Sequence, residues 1–279
     1  MYMESSRMLH RALYGMFFIT LAAITLSADA PMAAGRLMNA ESRRHDPIKI
    51  HHIRDGMVSS TNWSGYAVTG APGSVTDVKA SWTVPAIQGS CPSTNQYSSF
   101  WVGIDGYSDN TVEQIGTDSD CQNGAPTYYA WFEFYPHPMF IINSLTVNPG
   151  DTISAEVKYS GKNQFTVSIT DVTSGQSFST TTRVNAQRSS AEWIAEAPSS
   201  AGGVLPLADF GTAYFGLNYT AVASTSYATV GGKTSAIGSF GSSVQEITMV
   251  TPNGTIKAQP SGLSSDGTSF SDAWWSAGP

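Results

Sequence analysis

The chain has 279 residues and carries 14 lysines and arginines against 21 aspartates and glutamates, a formal net charge of −7. That acidic balance argues against nucleic acid as a partner, because phosphate recognition rests on basic side chains. The two cysteines and five histidines fall at no spacing that suggests a metal site, and no cofactor is expected.

Residues 1–30 read as a secretory signal peptide. Arg7 and Arg11 supply a positive start, "ALYGMFFITLAAITLSA" (12–28) is uncharged and mostly apolar, and Ala28-Asp29-Ala30 offers a small-x-small cleavage pattern. A retained membrane anchor is the alternative, since 17 residues are marginally long enough to span. With the signal removed, the product is secreted, with no membrane contact, and a monomer is expected.

Residues 31–58 form a basic leader. Between 31 and 56, Arg36, Arg43, Arg44, Lys49 and Arg54 face Glu41, Asp46 and Asp55, and His45, His51 and His52 are three of the five histidines. Residues 57–279 hold seven Lys or Arg against sixteen Asp or Glu. A basic leader on an acidic body reads as a pro-segment that inhibits its own domain, held by electrostatics near neutrality. Acid would discharge the body's carboxylates and make the three histidines cationic, releasing it, with processing expected near Met57 to Ser60. A disordered basic tail is the alternative.

Residues 59–279 predict a single all-β domain, a sandwich or a barrel. Short apolar runs are broken by turn signals such as "VNPGD" (147–151), "TSGQ" (173–176) and "TPNGT" (251–255). Cys91 and Cys121, in an exported chain, predict one disulfide. The body's one histidine, His137, lies between Pro136 and Pro138, so a serine or cysteine triad has no mobile histidine to use. No His-Glu-x-x-His, Gly-x-Ser-x-Gly or phosphate loop occurs, nor the paired Asp-Thr-Gly loops of pepsin-like proteases. Carboxylates, amides and aromatics must carry any chemistry.

Three segments alternate with period two. In "FWVGIDG" (100–106), Phe100, Val102 and Ile104 share one face, and Trp101, Gly103 and Asp105 the other. In "YAWFEFYP" (129–136), Ala130, Phe132 and Phe134 oppose Tyr129, Trp131, Glu133 and Tyr135. In "AEWIAE" (191–196), Glu192, Ile194 and Glu196 share a face. Aromatics and acids on faces that should meet water suggest a groove for an extended ligand. Two readings besides a protease fit such a groove: a glycoside hydrolase using Glu133 with Glu196, and a lectin-like module stacking sugars on Trp101, Trp131 and Tyr135.

Taken together, "NWSGYAV" (62–68), "SFWVGIDGY", "EQIGTD", "AWFEFYP", "AEWIAE", "LADFGTAYF" (207–215) and "VQEITMV" (244–250) resemble the glutamic peptidases, or eqolisins, in order and at sensible spacing. The resemblance implies a secreted, acid-acting endopeptidase on a two-sheet antiparallel β-sandwich of the concanavalin A-like, jelly-roll kind, made with a pro-segment and acting on polypeptides. It implies a catalytic dyad of Gln114, from Gln-x-Gly-x-Asp, and Glu196, which ends Ala-Glu-Trp-Ile-x-Glu. It also places Trp101, Asp105, Asp118, Trp131, Glu133 and Tyr135 around the substrate cleft. The chain differs from fungal members in "APSS" (197–200) after Glu196, and in Tyr129 where some carry an acid.

Overall fold

A computed structural model of the chain describes residues 43–54 and 57–278, all within one compact unit. The signal-like segment and the first part of the leader lie outside the described residues. Among those residues no helix is long and apolar enough to cross a membrane.

The chain runs through β1 (Ile50–Arg54), β2 (Met57–Ser60), β3 (Trp63–Thr69), β4 (Val75–Thr83), β5 (Ser99–Ile104), β6 (Val112–Gln122) and β7 (Ala125–Tyr135). Then follow β8 (Phe140–Ile141), β9 (Thr152–Tyr159), β10 (Gln164–Asp171), β11 (Ser177–Arg183), β12 (Ser190–Glu196), β13 (Ser199–Ser200), β14 (Gly203–Val204) and β15 (Thr212–Gly216). After one turn of helix, α1 (Leu217–Thr220), come β16 (Tyr227–Val230), β17 (Lys233–Ala236), β18 (Val244–Val250), β19 (Ile256–Pro260) and β20 (Ser269–Trp274). The C-terminal "SFSDAWW" thus supplies the last strand, β20, between β15 and β19.

The front sheet runs β1-β2-β18-β3-β12-β5-β6-β7-β8. The back sheet runs from β11 through β10, β9 and β4 to β15 and β16, then through β20 to β19, which joins β18. All these pairings are antiparallel except β2 with β18. Between the sheets pack Phe100, Val102, Ile104, Ile115 and Trp193 from the front, and Trp82, Ile153, Val157, Phe165 and Phe215 from the back. The two-sheet antiparallel sandwich implied by the resemblance is present, rather than a closed barrel.

Cross-strand partners point to the same face of a sheet, so register decides what the front sheet's outer face presents. One ladder reads Trp63, Glu196, Ser99, Asp118, Tyr129; the next reads Gly65, Ile194, Trp101, Gly116, Trp131. A third reads Ala67, Glu192, Gly103, Gln114, Glu133. Glycine is required in the middle ladder. A Cβ on Gly116 would come 2.5 Å from the Phe100 carbonyl oxygen and 2.6 Å from Trp101 Cβ, so no side chain fits between the two indoles.

Cys91 and Cys121 form a disulfide, Cα atoms 5.3 Å apart, tying the end of β6 to the segment before β5. Closing a loop of this length is worth about 3 to 4 kcal/mol in the chain-entropy account.

A cleft lined by carboxylates and closed by the leader

Across β3, β12, β5 and β6 the outer face of the front sheet is shut off from water. Trp63, Trp101, Trp131, Gln114, Asp118, Glu133, Glu192 and Glu196 are all fully buried. What covers their cleft is the chain's own leader, residues 43–49. Arg44 and Ser199 exchange both backbone hydrogen bonds, at 2.9 Å each. Further on, Asn62 Nδ2 donates to the Asp46 and Pro47 carbonyls at 3.2 Å, and Trp63 Nε1 donates to the Asp46 carbonyl at 3.1 Å. Ile48 N–H donates to the Gly106 carbonyl at 3.0 Å. The segment is strapped down on both sides of residue 45.

His45 lies at the centre. Its ring stacks on Trp131, centroids 3.5 Å apart and planes within 1°. Nδ1 is 3.0 Å from Glu133 Oε2 and Nε2 is 3.0 Å from Ser99 Oγ. The His45 backbone N–H also donates to Glu133 Oε2, at 2.9 Å. Burial alone would lower the imidazole pKa; the charge of Asp118, 3.7 Å from Nε2, the bond to Glu133 and the nearby Glu196 outweigh it and push it up to about 10.

The two residues of the expected dyad meet at this residue. Gln114 Nε2 donates to the His45 carbonyl oxygen at 2.8 Å. Glu196 acts electrostatically on the His45 ring and accepts the Trp101 indole N–H on Oε2 at 2.8 Å. Its Oε1 is buried without a partner among the described residues. Burial under the leader holds the Glu196 carboxyl well above the usual carboxylate range, with His45 pulling the other way.

Two residues earlier, Arg43 enters a second acidic pocket. Its guanidinium pairs with Asp120, lies 3.5 Å from Asp118, and is flanked by the rings of Tyr97 and Tyr129. Asp118 also accepts Trp131 Nε1 and Tyr129 Oη, both at 2.6 Å. Burial pushes the Asp118 pKa up, but the charges of His45, 3.7 Å away, and Arg43, with the bond from Tyr129, carry it below its ordinary value.

Trp101, Asp118, Trp131 and Glu133 therefore converge on the strap. Tyr135 packs with the aromatic cluster at its edge. Asp105 does not join them. It accepts the backbone N–H groups of Arg188 at 2.5 Å and Ser189 at 2.7 Å, holding the turn that leads into β12. Glu192, two residues before Ile194, is buried with both oxygens unpartnered among the described residues, and lies near Asp105, Asp109 and Glu113 rather than His45. His137 is exposed in its proline turn.

The leader differs from the expectation in two respects. Among the described residues only Arg43 and His45 carry its pairing with the body's acids; Arg44 and Lys49 pair with Asp46 inside the leader itself, and His51 and His52 are exposed on β1. His45 is already cationic near neutrality, because carboxylates surround it, so acid does not add charge there. Ser99, Asp120, Tyr97 and Asn62 also line the strap without having stood out in the sequence. Alternation along β6 would have found Asp120 on the face of Asp118; Asn62 reads only as a sequon.

Comparison with known proteins gives the family and the fold. The peptidase A4 family model matches residues 61–259. Aspergillopepsin-2 of Aspergillus niger is 29% identical over 178 residues, which cover 56% of this chain and 62% of that protein. Scytalidopepsin B of Scytalidium lignicola is 29% identical over 168 residues, covering 58% of this chain and 61% of that protein. The chain thus matches less than two thirds of the length of these curated relatives. The fold is shared with a scytalido-glutamic peptidase solved with a transition state analog inhibitor, at TM-score 0.63 and 23% identity, over 77% of this chain and 98% of that one. Aspergilloglutamic peptidase from Aspergillus niger superposes at TM-score 0.53 with 26% identity, over 64% and 99% of the two chains.

Proposed function

Because the chain belongs to the peptidase A4 family, we propose that it is an exported, acid-acting endopeptidase whose reaction is carried by Glu196 and Gln114. One observation supports the assignment above the others: the Gln114 side-chain amide donates to the backbone carbonyl of a peptide segment laid across the cleft. That is the contact an oxyanion donor makes with the bond it helps to break.

In this reading a water beside Glu196 Oε1 attacks the scissile carbonyl carbon and passes a proton to the carboxylate. Gln114 Nε2 stabilises the negative oxygen. Glu196 then returns the proton to the departing nitrogen, and the C–N bond breaks. A carboxylate in contact with water titrates near its ordinary value of about 4.3, so an ionised base persists in mild acid. Trp101 holds Glu196 by one oxygen and leaves the other for the water. The leader, lying where a substrate would lie, acts as the inhibitor of the unprocessed chain.

Neither sugar-directed reading accounts for Gln114, whose amide would have no role in a paired-carboxylate glycosidase. The deciding experiment is digestion of a denatured protein between about pH 2 and pH 7 by the processed enzyme, Glu196→Gln and Gln114→Ala. Activity in acid that disappears with Glu196→Gln and falls about 10²–10³-fold with Gln114→Ala supports the dyad. Undiminished activity in either folded variant rejects it.

A further inference from the structure

The way the leader crosses the cleft singles out one of its peptide bonds. Resting on the peptidase reading, we propose that the chain's first processing site is His45–Asp46, cut within the same molecule by Glu196 and Gln114. The His45 carbonyl oxygen is the one that Gln114 Nε2 holds, at 2.8 Å. The residues on either side are fixed independently. Arg44 is locked to Ser199 by two backbone bonds, and the Asp46 carbonyl is held by Asn62 and Trp63. A bond whose flanks are fixed and whose carbonyl already meets its oxyanion donor is close to the geometry of attack.

The region Met57–Ser60 offers no comparable presentation. It is a strand, hydrogen-bonded to β1 on one side and to β18 on the other. Its backbone would have to leave two partners before any peptidase could take it in extended form.

The step balances as ordinary hydrolysis. Water adds to the His45 carbonyl carbon, and Glu196, in the ionised form that the neighbouring His45 cation favours against burial, takes its proton. The bond from that carbon to the Asp46 nitrogen breaks, and Glu196 delivers the proton to that nitrogen. The products are a carboxylate on His45 and an amine on Asp46. Neither half is thereby expelled. Arg43 and His45 keep their acidic pockets, while Asp46 to Ser60 stays tied through Asn62, Trp63 and the β2–β18 pairing. The cut therefore precedes release.

The test is to acidify purified precursor carrying its leader, at several protein concentrations, and to follow intact mass and N-terminal sequence. A chain beginning at Asp46 that appears first, at a rate independent of concentration, and is absent from Glu196→Gln and slowed in Gln114→Ala, supports the proposal. Processing elsewhere while His45–Asp46 stays intact overturns it, as does a rate proportional to concentration. A start at Pro47 that persists in Glu196→Gln also overturns it, because acid alone hydrolyses Asp–Pro bonds. Adding denatured protein to the same samples separates the two claims. Digestion of that substrate with an intact His45–Asp46 bond rejects only the processing site, whereas neither event in wild type rejects the peptidase reading as well.

Discussion

The indole N–H of Trp131 donates to Asp118 at 2.6 Å, and this bond sets the plane on which the His45 ring lies. Asp118 is also the carboxylate that Tyr129 and Arg43 approach, so one buried anion orients both the platform and the neighbouring cation pocket.

Asp118 should therefore act by positioning. Asp118→Ala frees the indole and leaves Tyr129 with Asp120 alone. Losing a charge-assisted bond of this kind costs about 1.5–3 kcal/mol, which should raise KM about tenfold or more. The turnover number should change much less, since the attacking and leaving atoms are not touched. Separate determination of kcat and KM on a peptide substrate checks this; a fall in kcat alone would contradict a positioning role.

The leader sequence should inhibit when supplied separately. A peptide spanning residues 43–49 should compete with substrate for the processed enzyme, and replacing Arg43 by glutamine should raise its inhibition constant about tenfold or more, since the guanidinium bonds to a carboxylate. Inhibition should also weaken as pH falls. His45 and Arg43 keep their charge while the carboxylates facing them lose theirs. Asp118 governs the loss, because His45 and Arg43 hold its pKa below the ordinary value in the bound state despite burial, so its protonation in acid weakens binding. Inhibition constants measured from about pH 6 to pH 3 would show it, and a flat profile would count against electrostatic seating.

Stability should fall as pH rises. Burial pushes Asp272 up to about 8, with Glu246 adding to the effect and Ser64 opposing it. Burial likewise holds Glu113 and Glu192 well above the ordinary range. A carboxyl with a raised folded pKa binds its proton more tightly in the native state, so its contribution is complete below the unfolded value of about 4 and is lost as pH climbs toward the folded value. For Asp272 that window runs from about 4 to about 8. Urea midpoints should drop across it, and Asp272→Asn, an uncharged substitute, should flatten the slope. A midpoint that rises with pH would refute the linkage.

Much of the fold and cleft is legible in the alternation of Trp101 with Phe100 and Val102, of Glu133 with Phe132 and Phe134, and of Glu196 with Ala195. A two-residue period assigns a side chain to a face without any knowledge of its neighbours. Register is different. That Glu196 shares a ladder with Asp118, and Glu192 with Gln114, depends on pairing between strands far apart in sequence. The strap is hidden for the same reason. Gln114 and the His45 carbonyl are separated by 69 positions, and nothing local in "RRHDPIK" says that this stretch lies along the cleft. Its net charge points to an acidic partner, but not to which cations find one.

Asn62 begins the sequon Asn62-Trp63-Ser64, yet its amide is fully buried, holding two leader carbonyls and accepting the Lys49 N–H at 2.7 Å. A host that attached a sugar there before the chain folded would make a precursor unable to seat its strap, and so active too early within the producing cell's own export route. The sequons Asn218-Tyr219-Thr220 and Asn253-Gly254-Thr255 begin at exposed asparagines and carry no such penalty. The organism chosen to express the protein thus bears on whether it emerges latent, through a single amide that takes no part in the chemistry.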